Sequence, residues 1–193
     1  MNSFKPNPNY NIEVFDQILS YDKITEIDLF VKKLPYFPIN FDNGPFDGSN
    51  KPKLVKYFFH QDMSLEDENK LFVNKFLNLI PLIFKKNLDF SFFKSMQVNL
   101  SDFSTVDLIH VDGAKFANKT SYTILYYSNI KWDINYGGET LFYDPNNLEI
   151  ISAIQPKPGR FVVFDSTLPH SARPIQSNCP YLRYTIAVKT NPI

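Results

Sequence analysis

Between residues 12 and 34 the apolar positions recur at helical spacing. Ile24, Ile27, Val31 and Leu34 form one stripe, spaced as on a helix that turns one face to a core. A second helical pattern opens at Ser64, where Asp67 three places on completes an acidic capping arrangement. Its stripe is Leu65, Phe72, Phe76, Leu79 and Ile83, and Pro81 predicts a kink or late break. Residues 35–53 hold four prolines and two glycines among Asn and Asp, which predicts a loop without regular structure. Tyr57-Phe58-Phe59 is strand-like, and His60 after it reads as a structural histidine.

From about Phe92 the period changes to two. The alternation predicts strands over 92–100, 105–112, 120–128, 139–143, 148–154, 160–165, 169–174 and 181–189. Turn signals separate them, among them Asp112-Gly113, Tyr136-Gly137-Gly138, Asp144-Pro145-Asn146 and Lys157-Pro158-Gly159. Many short strands at this spacing suggest a double-sheet jelly roll or a barrel. The expected class is mainly β with N-terminal helices (α+β). One domain over 1–193 is expected, with helical support over about 1–90 and a jelly-roll core over about 91–190.

Composition narrows the function. Lys plus Arg is 20 and Asp plus Glu is 20, a formal net charge of zero. A dedicated nucleic-acid binder draws its affinity from excess positive charge, so no nucleic-acid partner is expected. Cys179 is the single cysteine, so the chain holds no internal disulfide framework and no multi-thiolate zinc site. The first ten residues lack the apolar stretch of a signal peptide, and no apolar run approaches the roughly 20 residues of a membrane span. A soluble, cytoplasmic protein is the expectation. Oligomeric state is left open.

Histidine is scarce, at 60, 110 and 170 only, so its placement carries information. His110-Val111-Asp112 ends a predicted strand, and residues two apart on a strand point to one face. One imidazole nitrogen and one carboxylate oxygen can then aim at a common point. His170 opens a later predicted strand that a jelly roll can bring opposite. Two histidines and a carboxylate are the facial triad of non-haem Fe(II) oxygenases, and they suit Zn2+ as well. Histidine-x-aspartate alone is a common tripeptide; its weight comes from what accompanies it.

Arginine also occurs three times, at 160, 173 and 183. In the β-prone run Leu182 to Val188, Leu182, Tyr184, Ile186 and Val188 form an apolar face for the core. Arg183, Thr185 and Ala187 form the other. A buried arginine needs a partner, and no acid shares that face of the strand, so a carboxylate ligand held by the guanidinium fork is the candidate. A salt bridge to an acid elsewhere is the plain alternative. Ser121, Thr123, Leu125 and Tyr127 share another face, where the Thr123 and Tyr127 hydroxyls are candidates to complete the pocket. Arg160 begins a strand after a Pro-Gly turn, and Arg173 is read as facing solvent or substrate.

Six motifs in order resemble one family. They are His110-Val111-Asp112, Tyr122 to Asn129, Gly137-Gly138-Glu139-Thr140-Leu141-Phe142, Pro156 to Phe164, Pro169-His170-Ser171-Ala172, and Leu182-Arg183-Tyr184-Thr185. The stretch from about Gln97 to Lys189 resembles the 2-oxoglutarate/Fe(II)-dependent dioxygenases of the prolyl 4-hydroxylase type. From His110 to Asp133 it is similar to animal oxygen-sensing prolyl hydroxylases, and the Gly137 to Asp144 run is similar to compact phage and bacterial members. The resemblance implies a double-stranded β-helix with supporting helices on one sheet. It implies Fe(II) on His110, Asp112 and His170, with 2-oxoglutarate and O2 as cosubstrates and ascorbate as a candidate addition. It assigns Arg183 to the far carboxylate of 2-oxoglutarate, with Tyr127 as a hydrogen-bonding partner and Thr185 nearby. Many members carry a tyrosine on the strand before the histidine-x-aspartate motif; here Gln97 or Asn99 stands in. Lys189 and Arg173 are alternative anchors.

The implied activity is hydroxylation of an unactivated C–H bond, coupled to decarboxylation of 2-oxoglutarate to succinate. A prolyl residue in a peptide or protein is the leading substrate, and a free amino acid or other small molecule the alternative. Residues 35–53 and 113–119 are candidates for a lid or substrate groove. A metal-binding jelly roll without turnover and a zinc hydrolase are the readings from other classes. No general base stands beside the triad to favour the hydrolase.

Overall fold

The structure is a computed structural model that describes residues 10–39, 53–59, 68–80, 93–105, 107–113 and 120–190. The chain is mostly β. Strands β1 (Ile12–Phe15), β2 (Phe37–Ile39), β3 (Lys53–Phe59), β4 (Phe93–Ser101), β5 (Tyr122–Tyr127), β8 (Phe161–Asp165) and β10 (Arg183–Thr190) make a larger sheet. Its order is β1-β8-β5-β10-β4-β3-β2. Strands β6 (Thr140–Tyr143), β7 (Ile150–Ile154) and β9 (His170–Ala172) make a smaller one, in the order β7-β6-β9. Every strand pair is antiparallel.

The larger sheet has two buried faces because each strand alternates its side chains. One face carries Met96, Val98, Ile124, Tyr126, Phe161, Val163, Tyr184, Ile186 and Val188. Against it pack Ile27 and Val31 of α1 (Tyr21–Lys33) and Phe72, Val73, Phe76 and Leu77 of α2 (Glu68–Leu77). The other face meets the smaller sheet through Leu125, Tyr127, Val162, Phe164 and Ala187 against Phe142 and Ile154. The apolar face expected on β10 is therefore the helix-facing one. The Arg183 face looks between the sheets. Leu182 departs from the expected pattern: it is 41% exposed, because the strand begins one residue later.

Ser20 caps α1 by accepting a hydrogen bond from Lys23 N at 3.3 Å, and Lys32 and Lys33 meet the negative end of its dipole. Three expectations need correction. The helical pattern over 12–34 covers only the part from Tyr21; Ile12 and Val14 are buried on alternate positions of a strand beside β8. The 35–53 stretch is not all loop, since Phe37–Ile39 pairs with β3. Pro38 is tolerated there because β2 is the edge strand and needs no donor on its outer side. The predicted strand over 105–112 contributes one isolated bridge, His110 to His170. Its main-chain donors go to a turn and a loop as well: Thr105 N donates to Asp102 O at 3.2 Å and Asp112 N to Ser166 O at 2.8 Å, while the Asp107 side chain accepts from Ala172 N at 2.8 Å. The Ser64–Asp67 cap, His60, Pro81 and 114–119 lie outside the described residues. Among the described residues no helix is long and apolar enough to cross a membrane.

Candidate metal and carboxylate site

His110, Asp112 and His170 converge, with one ligand atom of each within 4.8 Å of the others. The His110 segment reaches this point without being a strand. It is pinned by the His170 bridge at one end and at the other by Asp112 N and Gly113 N, which both donate to Ser166 O at 2.8 and 2.9 Å. Gly113 allows the close approach: a Cβ there would lie 2.7 Å from Ser121 Oγ and 2.9 Å from Ser166 Cβ.

Both imidazoles are oriented by the main chain. His110 Nδ1 lies 2.8 Å from Leu108 O, and His170 Nδ1 lies 2.9 Å from Leu168 O. A carbonyl only accepts, so each Nδ1 carries a proton, and each Nε2 is the ring atom turned toward the centre. Asp112 faces both, with Oδ2 3.4 Å from His170 Nε2 and Oδ1 3.9 Å from His110 Nε2. Phe142 and Phe164 pack around the His170 ring and keep it buried.

Two further residues hold the carboxylate. Thr123 donates to Asp112 Oδ2 at 2.9 Å, and Lys189 Nζ lies 2.6 Å from Oδ1. Burial alone would raise the Asp112 pKa. The His170 hydrogen bond and charge, then Lys189 and His110, reverse this and hold the carboxyl far below its ordinary range. Thr123 thus touches the Asp112 carboxylate, and its hydroxyl is 3.0 Å from Ser166 Oγ.

Arg183 sits at the other end of the same face of β10 and is 4% exposed. Its Nη2 donates to Thr140 Oγ1 at 3.3 Å, and its guanidinium carbon stands 5.3 Å from the centre of the Tyr127 ring. Its Nε is buried without a hydrogen-bond partner, and no described carboxylate forms an ion pair with it. Burial lowers its pKa from the ordinary value; Tyr127 and then Glu139 act the other way. The Tyr127 hydroxyl shares a 2.6 Å hydrogen bond with Thr140 and donates to Ile154 O at 3.1 Å. Thr185 lies in register between Tyr127 and Asn99, and Asn99 Nδ2 is 3.5 Å from its hydroxyl. Gln97 in turn donates to Asn99 Oδ1. A pocket opens here, lined in part by Asn99, Asp102, Asp107, Arg173, Ile175 and Arg183.

The other two arginines are accounted for by acids. Arg160 makes a two-point contact with Asp16, from Nε and Nη2 at 2.7 Å each. Arg173 is exposed and stands 3.7 Å from Glu139. The sequence reading missed Ser166, Thr140 and the contact of Lys189 with Asp112. Period-two counting along β10 carried a signal for the last: Arg183, Thr185, Ala187 and Lys189 share one face.

The fold is that of several solved oxygenase structures. A Pseudomonas putida prolyl-4-hydroxylase superposes with a TM-score of 0.66 at 14% identity, covering 94% of this chain and 92% of that one. A Trichoplax adhaerens prolyl hydroxylase, solved with a hypoxia inducible factor oxygen degradation domain peptide fragment, gives 0.66 at 15% identity, covering 94% and 83%. A 2OG-Fe(II) oxygenase family oxidoreductase from Burkholderia pseudomallei gives 0.69 at 15%, covering 93% and 84%. No curated protein sequence matches the chain. The sequence profile of the 2OG-Fe(II) oxygenase superfamily matches residues 98–188, the stretch that holds His110, Asp112, His170 and Arg183.

Proposed function

We propose that the chain is a single-domain dioxygenase dependent on Fe(II), 2-oxoglutarate and O2, and that it hydroxylates a prolyl residue of a peptide or protein. The observation that carries the reading is the pairing of two sites on one face of β10. A His-Asp-His cluster lies at one end and a buried guanidinium without an acid partner at the other. The two sheets are read as the halves of a double-stranded β-helix, with the helices as external support.

The donor set fits the proposed groups. His110 and His170 would hold Fe(II) through Nε2 and Asp112 through a carboxylate oxygen, all hard or borderline donors. Arg183 would hold the far carboxylate of 2-oxoglutarate, because its unpartnered Nε and its neighbour Nη2 offer the two-point geometry a carboxylate prefers. Asn99 would line the approach to it, with Tyr127 and Thr185 buried alongside. When bound, Fe(II) supplies the redox chemistry that couples decarboxylation of 2-oxoglutarate to succinate with hydroxylation of a C–H bond. The chain itself fixes the tautomer of both imidazoles, keeps Asp112 ionised and shields the ligands with Phe142 and Phe164. A peptide substrate is supported by the peptide bound in the similarly folded Trichoplax protein. Ascorbate dependence belongs to the same proposal and is read by omitting it from the assay.

The test is anaerobic titration with Fe(II) and 2-oxoglutarate, then oxygen exposure with succinate measured. A visible charge-transfer band and succinate are expected, and absence of both rejects the oxygenase reading. A proline-containing peptide library read by mass should gain one oxygen atom. Succinate formation without a peptide mass change would transfer the proposal to a small-molecule substrate.

A further inference from the structure

Lys189 places a charged group on an inward row of β10. It lies on the face of β10 that looks between the sheets, next to buried Ala187 and directly across from Thr123 on β5. Facing positions on neighbouring antiparallel strands share one side of the sheet. Thr123 and Lys189 therefore reach the same carboxylate from one side, and they do so differently. Thr123 brings a neutral hydroxyl to Oδ2; Lys189 brings a full positive charge to Oδ1 at 2.6 Å. The Asp112 side chain is 5% exposed and that of Lys189 24%, so the pair is poorly screened by water.

We infer that Lys189 is a built-in competitor for the divalent metal, a positioning cation that holds Asp112 by charge and lowers the affinity of the site. This rests on the reading of His110, Asp112 and His170 as metal ligands. The Coulomb argument is simple. The site offers one negative charge to a dication, and an ammonium already balances it. Metal and ammonium repel each other over a few ångströms in a partly buried space. Thr123 orients the carboxylate without this conflict, so orientation alone does not require a lysine. The flexible four-carbon stem lets the ammonium withdraw toward solvent when a metal takes the oxygen.

Mn(II) binding, followed by loss of the free-ion electron paramagnetic resonance signal without 2-oxoglutarate, tests this. Lys189→Met and Lys189→Gln should each bind Mn(II) about tenfold tighter than the wild type or more, and Lys189→Arg should stay close to it. Melting curves of the metal-free proteins identify which variants are folded; Gln keeps a polar stem if Met does not fold. Neutral variants that bind no tighter overturn the inference. If the wild type binds and His110→Ala does not, the ligand reading stands whatever Lys189 does. If neither the wild type nor the neutral variants bind, both fall.

Discussion

His110 and His170 exchange two main-chain hydrogen bonds, N to O at 3.0 and 2.9 Å, so one β-bridge sets both candidate ligands. Their ring centres lie 4.4 Å apart as a result. The bridge uses no side-chain atom, so it persists when either imidazole is removed. His110→Ala should therefore fold with a melting temperature within a few degrees of the wild type while losing Mn(II) binding. His170 is buried, and His170→Ala should also cost about 1–3 kcal/mol from the cavity and the lost Nδ1 bond. Chemical denaturation set beside metal titration separates the two effects. A His110→Ala protein that still binds Mn(II) like the wild type would remove it from the ligand set.

Arg183→Met should raise the apparent KM for 2-oxoglutarate by about 10- to 100-fold, the size of a lost charged hydrogen-bond pair. Arg183→Lys should recover part of it, since a point charge replaces the fork. Steady-state succinate formation against 2-oxoglutarate concentration reads this. An unchanged requirement would move the anchor to another cation.

Gly138 has φ of +76°, and a Cβ there would lie 3.0 Å from Ile175 Cγ2, 3.1 Å from Arg183 Cδ and 3.2 Å from Trp132 Cζ2. Gly138→Ala combines a backbone penalty with pressure on the arginine stem, for about 1–3 kcal/mol of stability. Because part of the pressure falls on Arg183, the KM for 2-oxoglutarate should rise as well. A variant destabilised with an unaltered KM would show that the crowding is absorbed by Trp132 and Ile175 instead.

Asp16 and Arg160 tie the end of β1 to the start of β8 across 144 positions of sequence. Asp16 is 36% exposed, so its contribution is discounted to about 1–2 kcal/mol. The Arg160 hydrogen bonds hold its carboxyl below the ordinary 3.8, against the opposing effect of burial. A lowered folded value means stability that is present above the unfolded value and lost as pH falls through the folded one. Asp16→Asn should thus be less stable than the wild type at neutral pH. The gap should shrink below about pH 4, as urea unfolding at stepped pH would show. A gap that stays constant down to acid pH would deny the ion pair its role.

Much of the site was readable because strand periodicity is local. Arg183, Thr185 and Ala187 share a face by counting in twos, and Thr123 and Tyr127 do the same; the structure keeps both faces. The histidine-x-aspartate spacing and the ordered motifs likewise need no partner strand to be recognised, and they led to the superfamily that matches residues 98–188. Local pattern misled where side chains or edges overrode it. Residues 105–112 look like a strand, yet Thr105 N turns back to Asp102 O and Asp112 N goes to Ser166 O, and among the described residues only the bridge at His110 forms. Phe37–Ile39 looks like loop, yet an edge position tolerates its proline.

The amino-acid sequence by itself determined which residues are candidates for chemistry and, along β5 and β10, which strand face each occupies, since both follow from residue type and a period of two. Only the tertiary structure decided what those residues touch. That Lys189 and Thr123 divide the two oxygens of Asp112, and that Asp16 answers Arg160, depends on strand order and register. Those are set by which apolar faces bury against each other across the whole chain, and no local pattern encodes them.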